Sequence, residues 1–524
     1  MSASTEKKQR QAAREAGTDK KTLAEQEAAK KKAKSNRRWT LGTIGVILLI
    51  ALILFLNSSF LYTHTTAISI GDASYSPAEV SYVYANRYYN WIQSYGSYAS
   101  IFGIDTSTGI AGLKQQECPM YDDGRTWHDY FMEEARSELS QMTALCAWAD
   151  ANGVTLTDEE IAEVDDSIAT LDSSARAGGY ASGDKYFSAN YGTGVTSAIV
   201  REMALKSALA NKASSEYAAS LEYTDAELEE HYQSLDGAQD KFSFSYYLVN
   251  AEKVESTDAD GNTSSAVTEE TTAAAKDAAD DILTAYTALK QSNPDDDNYT
   301  AMLNSAVAQV APTAEATERS NITGGNLGDY KEWLMASGRK AGDATVVDKA
   351  DGSGSYVVVF LDRSDNHYPV AQVRHILIKA VADSDGSYTD KAKEIAKNRA
   401  EEILAEFNAG DKTEDSFAEL AKDYSEDTGS AENGGLYDTV YKGATVEEFD
   451  KFCFEGHKKG DTAIVYGESS SYAGYHVMYY VGEGDLYSNL LAKNDLVNTT
   501  VSQWLEDQVN ALTVTNGWWL RIAG

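Results

Sequence analysis

Seven histidines stand among 524 residues, and two of them interrupt runs that otherwise read as plain β-strands. His375 sits in VRHILIKA, where Val, Ile, Leu and Ile alternate about it, and His476 sits in GYHVMYY. Such alternation marks a half-buried strand. A lone imidazole there is most simply a core group satisfied by a backbone carbonyl. Two of them invite comparison with the rest of the chain, where the segments FSFSYYLV and GSYVVVF carry Tyr246 and Tyr356 at the corresponding places. Positions that tyrosine fills in one copy and histidine in the other point to chemistry in the second, because imidazole titrates near neutral pH and both donates and accepts hydrogen bonds.

That comparison rests on an internal repeat with a period of roughly 120 residues. From Lys241 the order is a strand (FSFSYYLV), two helices (TAAAKDAADDILTAYTALK and NYTAMLNSAVAQV) and a closing strand (SYVVVFLDR). After Pro369 it returns as VRHILIK, DKAKEIAKNRAEEILAEF, SFAELAKDY and GYHVMYYVGEG. GGNLGDY is paired with NGGLYDTV, GRKAGDATVV with GHKKGDTAIV, and DRSDNHYP is read as the linker. DADGNTSSAVTEETT, ahead of the first helix, is read as a polar loop. Upstream, from about residue 66 to 238, the period is helical. LTDEEIAEVDDSIATL and YTDAELEEHYQSL each open on Thr with Glu three later, a capping box. LVNTTVSQWLEDQVNAL, within residues 486–524, is a last amphipathic helix that must pack on a core already made.

The formal charge of −36 makes nucleic acid an unsuitable partner. Residues 1–38 oppose the trend, with 12 Lys/Arg against five Asp/Glu and almost no large apolar residue; they read as a disordered basic tail. Residues 39–58 follow as WTLGTIGVILLIALILFLNS, without a charge. This approaches the roughly 20 residues that span a bilayer, and it exceeds the core of a secretory signal peptide. The expectation is an uncleaved signal anchor, N-terminus in the cytoplasm and the bulk of the chain outside a cell membrane. Cys118, Cys146 and Cys453 are too scattered for a zinc site and read as free thiols, with a Cys118–Cys146 bridge the alternative.

VRHILIK, SFAELAKDYSEDTGSAENGG, VEEFDKFCFEG and GYHVMYY together give the stretch from Val373 to Gly484 its resemblance to parvulin-type (PpiC, rotamase) peptidyl-prolyl cis–trans isomerase domains. ADANGVTLTDEEIAEV and YTDAELEEHYQSL are similar to the helical chaperone lobe of foldases of the PrsA and SurA class. The resemblance implies an α+β chain. A helical lobe at 59–240 is followed by a degenerate parvulin-like module at 241–365 and a parvulin module at 369–485. Each module is an antiparallel four-stranded sheet with surrounding helices, and a C-terminal helix returns to the lobe.

In site terms the resemblance implies that His375, Asp427 and His476 form the catalytic cluster. Leu436, Thr445, Val446 and Phe449 would line a proline pocket, with Phe454 behind them. Rotation about X–Pro breaks no bond, so no metal and no cofactor is expected. The partners implied are unfolded or partly folded exported polypeptides and a membrane reached through one helix, with no indication of oligomeric state. The competing expectation is a non-catalytic holdase or assembly scaffold whose parvulin modules are both vestigial.

Overall fold

The structure, a computed structural model, describes residues 3–18, 20–56, 58–257 and 263–524. The chain divides into two units, Met1–Leu221 with Thr500–Gly524, and Glu222–Thr499.

Helices dominate the first unit. Pro77–Tyr95, Trp127–Asn152 and Asp158–Ala177 each open on a reciprocal cap, Ser76 with Glu79, Thr126 with Asp129, and Thr157 with Glu160. The hydroxyl accepts one exposed helix amide while the carboxylate accepts the cap's own, so two donors without intrahelical partners are satisfied. The core is aromatic, with Trp91, Trp127 and Phe131 buried against one another. Two three-residue strands, β1 (Ile68–Ile70) and β2 (Ala73–Tyr75), pair antiparallel, and Val514–Asn516 pairs with β1. Trp504 stacks on Tyr217 at 4.0 Å between ring centroids.

The expected membrane span lies in the helix Lys20–Leu56 and runs on past it. Residue 57 and the side chains of residues 51, 52, 54 and 56 lie outside the described residues. Among the described residues no helix is long and apolar enough to cross a membrane. All three cysteines are free, Cys118 and Cys453 buried and Cys146 partly so.

The second unit is built on two four-stranded antiparallel sheets. The first consists of β3 (Lys241–Asn250), β6 (Thr317–Thr323), β7 (Ala344–Asp348) and β8 (Gly354–Ser364), in the order β6-β3-β8-β7. The second consists of β9 (Pro369–Lys379), β10 (Leu436–Val440), β11 (Thr462–Glu468) and β12 (Ala473–Leu486), in the order β10-β9-β12-β11. A separate hairpin, β4 (Lys253–Thr257) with β5 (Thr263–Val267), occupies part of the stretch expected to be a polar loop. Its Ser and Thr residues hide it from hydropathy, whereas their β-branched members suit a strand.

The central registers of the two sheets coincide. Tyr246 faces Val358 and Leu248 faces Tyr356; His375 faces Met478 and Leu377 faces His476. One face of the second sheet is covered by the helices Asp390–Ala409 and Glu414–Tyr424. The first of these buries Ala396, Ala400, Ile403 and Phe407, spaced so that they fall on one side of a 3.6-residue helix. With a face against helices and a face against Glu447–Phe454, β9 is buried on both sides, which explains its run of apolar residues. The glycine pairs matched in sequence are not equivalent: Gly324 and Gly325 follow β6, whereas Gly434 and Gly435 precede β10. The last helix spans Tyr487–Asn510, and its first turns pack Leu491, Ala492 and Leu496 on Leu228 and Tyr232.

Candidate active site

Strand alternation puts Val373, His375 and Leu377 on the face of β9 away from the two long helices, and His476 and Met478 on the same face of β12. His375 and His476 are therefore diagonal neighbours on adjacent central strands. Both are buried, 2% and 4% exposed. Their Nδ1 atoms are 3.1 Å apart, and the rings are tilted by 31°.

Asp427 reaches the pair from the loop after Glu414–Tyr424, and that loop is fastened to β9. The Leu377 amide donates to Ser425 Oγ at 3.2 Å, and the Glu426 amide donates to the Leu377 carbonyl at 2.9 Å. Asp427 Oδ2 then lies 3.0 Å from His375 Nε2 and accepts from Ser430 Oγ at 2.6 Å and from the Tyr437 hydroxyl at 3.1 Å. The hydrogen bond from His375, joined by those of Ser430 and Tyr437, holds the Asp427 carboxyl well below the usual carboxylate range against the opposing effect of burial. An ionised carboxylate only accepts, so His375 Nε2 carries its proton toward Asp427.

His476 differs. Burial, reinforced by His375, holds it down to about 3, so it is neutral at physiological pH although Asp427 pulls the other way. Its Nε2 lies 3.0 Å from the Tyr472 hydroxyl.

Phe449, 2% exposed, closes the cluster from the helix Glu447–Phe454. Its ring stands edge-on to both imidazoles, 5.4 Å from His375 and 5.2 Å from His476. Val446 caps that helix and belongs to the same apolar cluster. Thr445 precedes it, its Oγ1 buried with no protein partner. Phe454 also belongs to the cluster, but its ring meets Tyr368 at 5.7 Å. Leu436 is misplaced in the sequence reading. It pairs with Arg374, and alternation turns it to the opposite face of the sheet. Its neighbour Tyr437 takes the site face, 4.7 Å from His375 and 6.0 Å from Phe449, its hydroxyl pushed up to about 12 by burial and by Asp427.

Ser430, Tyr437, Tyr472 and Gly467 escaped sequence reasoning. A period-two count along β10 from Val440 is broken by a bulge between Tyr437 and Val440, which conceals Tyr437. Gly435 aligns the strand: its carbonyl accepts the His375 amide at 2.9 Å. At φ 69° a Cβ there would lie 2.1 Å from the His375 carbonyl oxygen. In the first sheet, Tyr246, Tyr330 and Tyr356 pack ring on ring where the second has its polar cluster.

Residues 357–480 match the family model described as the PPIC-type PPIASE domain. Among curated proteins, the chain is similar to foldase protein PrsA 3 of Bacillus anthracis, 29% identical over 159 residues that make up 29% of this chain and 48% of that protein. It is also similar to foldase protein PrsA of Staphylococcus aureus, 35% identical over 139 residues, 26% of this chain and 40% of that protein. Among solved structures, peptidylprolyl isomerase PrsA from Bacillus cereus is similar over 28% of this chain and 49% of that one, at 28% identity and a TM-score of 0.18. The chain thus spans about half or less of the length of these curated relatives.

Proposed function

We propose that this chain, which carries a PPIC-type domain over residues 357–480 and is similar to PrsA foldases, is an extracytoplasmic peptidyl-prolyl cis–trans isomerase and foldase acting on exported polypeptides. The observation that carries the proposal is the junction of His375, His476 and Asp427 beside the buried ring of Phe449.

The chemistry asked of the site is modest. An X–Pro amide rotates over a barrier near 18–20 kcal/mol, and uncatalysed exchange takes tens of seconds or more. An enzyme lowers that barrier by binding the twisted amide better than either planar form. Twisting removes the amide's conjugation and shifts charge between nitrogen and oxygen. Fixed dipoles in a desolvated cluster act on that change more strongly than water does. In this reading His375, Asp427 and His476 supply the dipoles, while Phe449, Tyr437, Val446 and Thr445 hold the proline ring. Leu436 has no part in it.

The same reading makes residues 241–365 a degenerate copy whose tyrosine-filled face does not catalyse. It makes residues 59–240 the client-binding lobe. Residues 39–58 are the membrane anchor, with residues 1–38 in the cytoplasm; support for the anchor comes from the uncharged run and from the exposed side chains of Leu41, Ile47 and Leu48.

The test is refolding of a substrate whose slow phase is proline isomerisation, in the presence of the chain from residue 59 onward. Catalytic amounts should accelerate the slow phase. Suppression of aggregation with no acceleration would replace the isomerase reading by that of a holdase.

A further inference from the structure

The Tyr472 hydroxyl belongs to the wall of the site and not to its floor of strands. Tyr472 lies in the turn between β11 and β12, where its carbonyl accepts the Ser469 amide at 2.8 Å. Its hydroxyl is 3.0 Å from His476 Nε2, and its ring centroid is 5.8 Å from that imidazole. Space for this contact is left by Gly467 on β11. A Cβ there would come within 2.7 Å of His476 Nε2, 3.0 Å of the Tyr472 hydroxyl and 3.0 Å of Val446 Cγ2. A residue without a side chain thus stands where any other would press on the hydrogen bond.

The cluster has a direction. Asp427 accepts from Ser430, from Tyr437 and from His375 Nε2–H. When His375 is neutral, that leaves a lone pair on its Nδ1, and the atom facing it, His476 Nδ1, must carry a proton. His476 Nε2 is then an acceptor, and the hydroxyl that meets it is Tyr472's.

Resting on the isomerase reading above, we infer that Tyr472 is a positioning residue: it donates to His476 Nε2, thereby fixes the Nδ1–H tautomer of His476, and so holds both imidazoles in the one arrangement that points their dipoles from Tyr472 toward Asp427. Because Tyr472 acts through His476, its removal is expected to slow turnover without weakening capture of proline.

The experiment is Tyr472→Phe in the full chain held in detergent micelles, read by imidazole 15N chemical shifts and by peptide isomerisation kinetics. In the unsubstituted chain His476 should show a protonated Nδ1 and an unprotonated Nε2. In Tyr472→Phe the Nε2 resonance should move as its hydrogen bond is lost. kcat should fall on the order of tenfold, the equivalent of one hydrogen bond, with KM unchanged. Gly467→Ala, which forces the same two atoms apart, should reproduce the kcat loss. An Nε2–H tautomer in the unsubstituted chain overturns the inference, as do 15N shifts and a kcat that Tyr472→Phe leaves unmoved. If the shifts move as described while the unsubstituted chain isomerises nothing, the positioning role stands and the isomerase reading falls.

Discussion

His375 and His476 meet nitrogen to nitrogen, Nδ1 to Nδ1 at 3.1 Å, with ring centroids 5.2 Å apart. One proton between two facing nitrogens ties the tautomers of the two rings into one unit. The carboxylate of Asp427 at one end gives that unit its polarity.

Asp427→Asn keeps the shape of that end and removes its charge. A hydrogen bond to a charged group contributes about 1.5–3 kcal/mol, so kcat/KM should drop by roughly ten- to a hundredfold. Peptide isomerisation measures the loss, and an unchanged circular dichroism spectrum shows that the fold persists.

Acid should destabilise the second sheet, and the sign follows from His476. Its folded-state value is about 3, against about 6.5 in an unfolded chain. Between those values the unfolded chain binds a proton that the folded chain refuses. Stability therefore falls as pH drops below about 6.5, by up to about 1.4 kcal/mol per pH unit. Asp427 adds to the loss at lower pH, since its carboxyl is held below its unfolded value and its contribution goes as it protonates. Urea unfolding at about pH 7.5, 5.5 and 4.5 should show this slope, and His476→Leu should flatten it.

Gly435→Ala combines a left-handed backbone, φ 69°, with a Cβ only 2.1 Å from the His375 carbonyl oxygen. The conformational cost alone is about 1–2 kcal/mol, and relief of the clash must shift β9 or β10. A stability loss above about 2 kcal/mol is expected in thermal unfolding, with isomerisation reduced alongside.

The faces of β10 separate two adjacent residues. Tyr437→Ala should raise KM for proline peptides several-fold, because its ring stands 4.7 Å from His375 and 6.0 Å from Phe449. Leu436→Ala should leave KM within about twofold, since alternation places it on the far side. The opposite ranking would restore Leu436 to the pocket.

What the sequence discloses follows from period and pairing. β9 is legible because its apolar alternation isolates His375, and the match of FSFSYYLV to VRHILIK identifies Tyr246 as the residue standing in its place. The switch from Leu436 to Tyr437 is not legible. A one-residue change in register exchanges the two faces of a strand, and here the register is set by the left-handed pair Gly434 and Gly435 and by a bulge. Tyr472 is hidden for another reason: a tight turn, not a strand, brings its hydroxyl back to His476, four residues on. β1 and β2, three residues each, are too short to show any period.

Because the two imidazoles ride on paired strands at the middle of one sheet, the spacing of their backbones cannot change unless one strand slides along the other. The sheet is a ruler. In the proposed isomerase each client would meet the same fixed set of dipoles, so tolerance for different flanking sequences would reside in connecting segments such as the one before Glu447, which can be remodelled without moving a single rung.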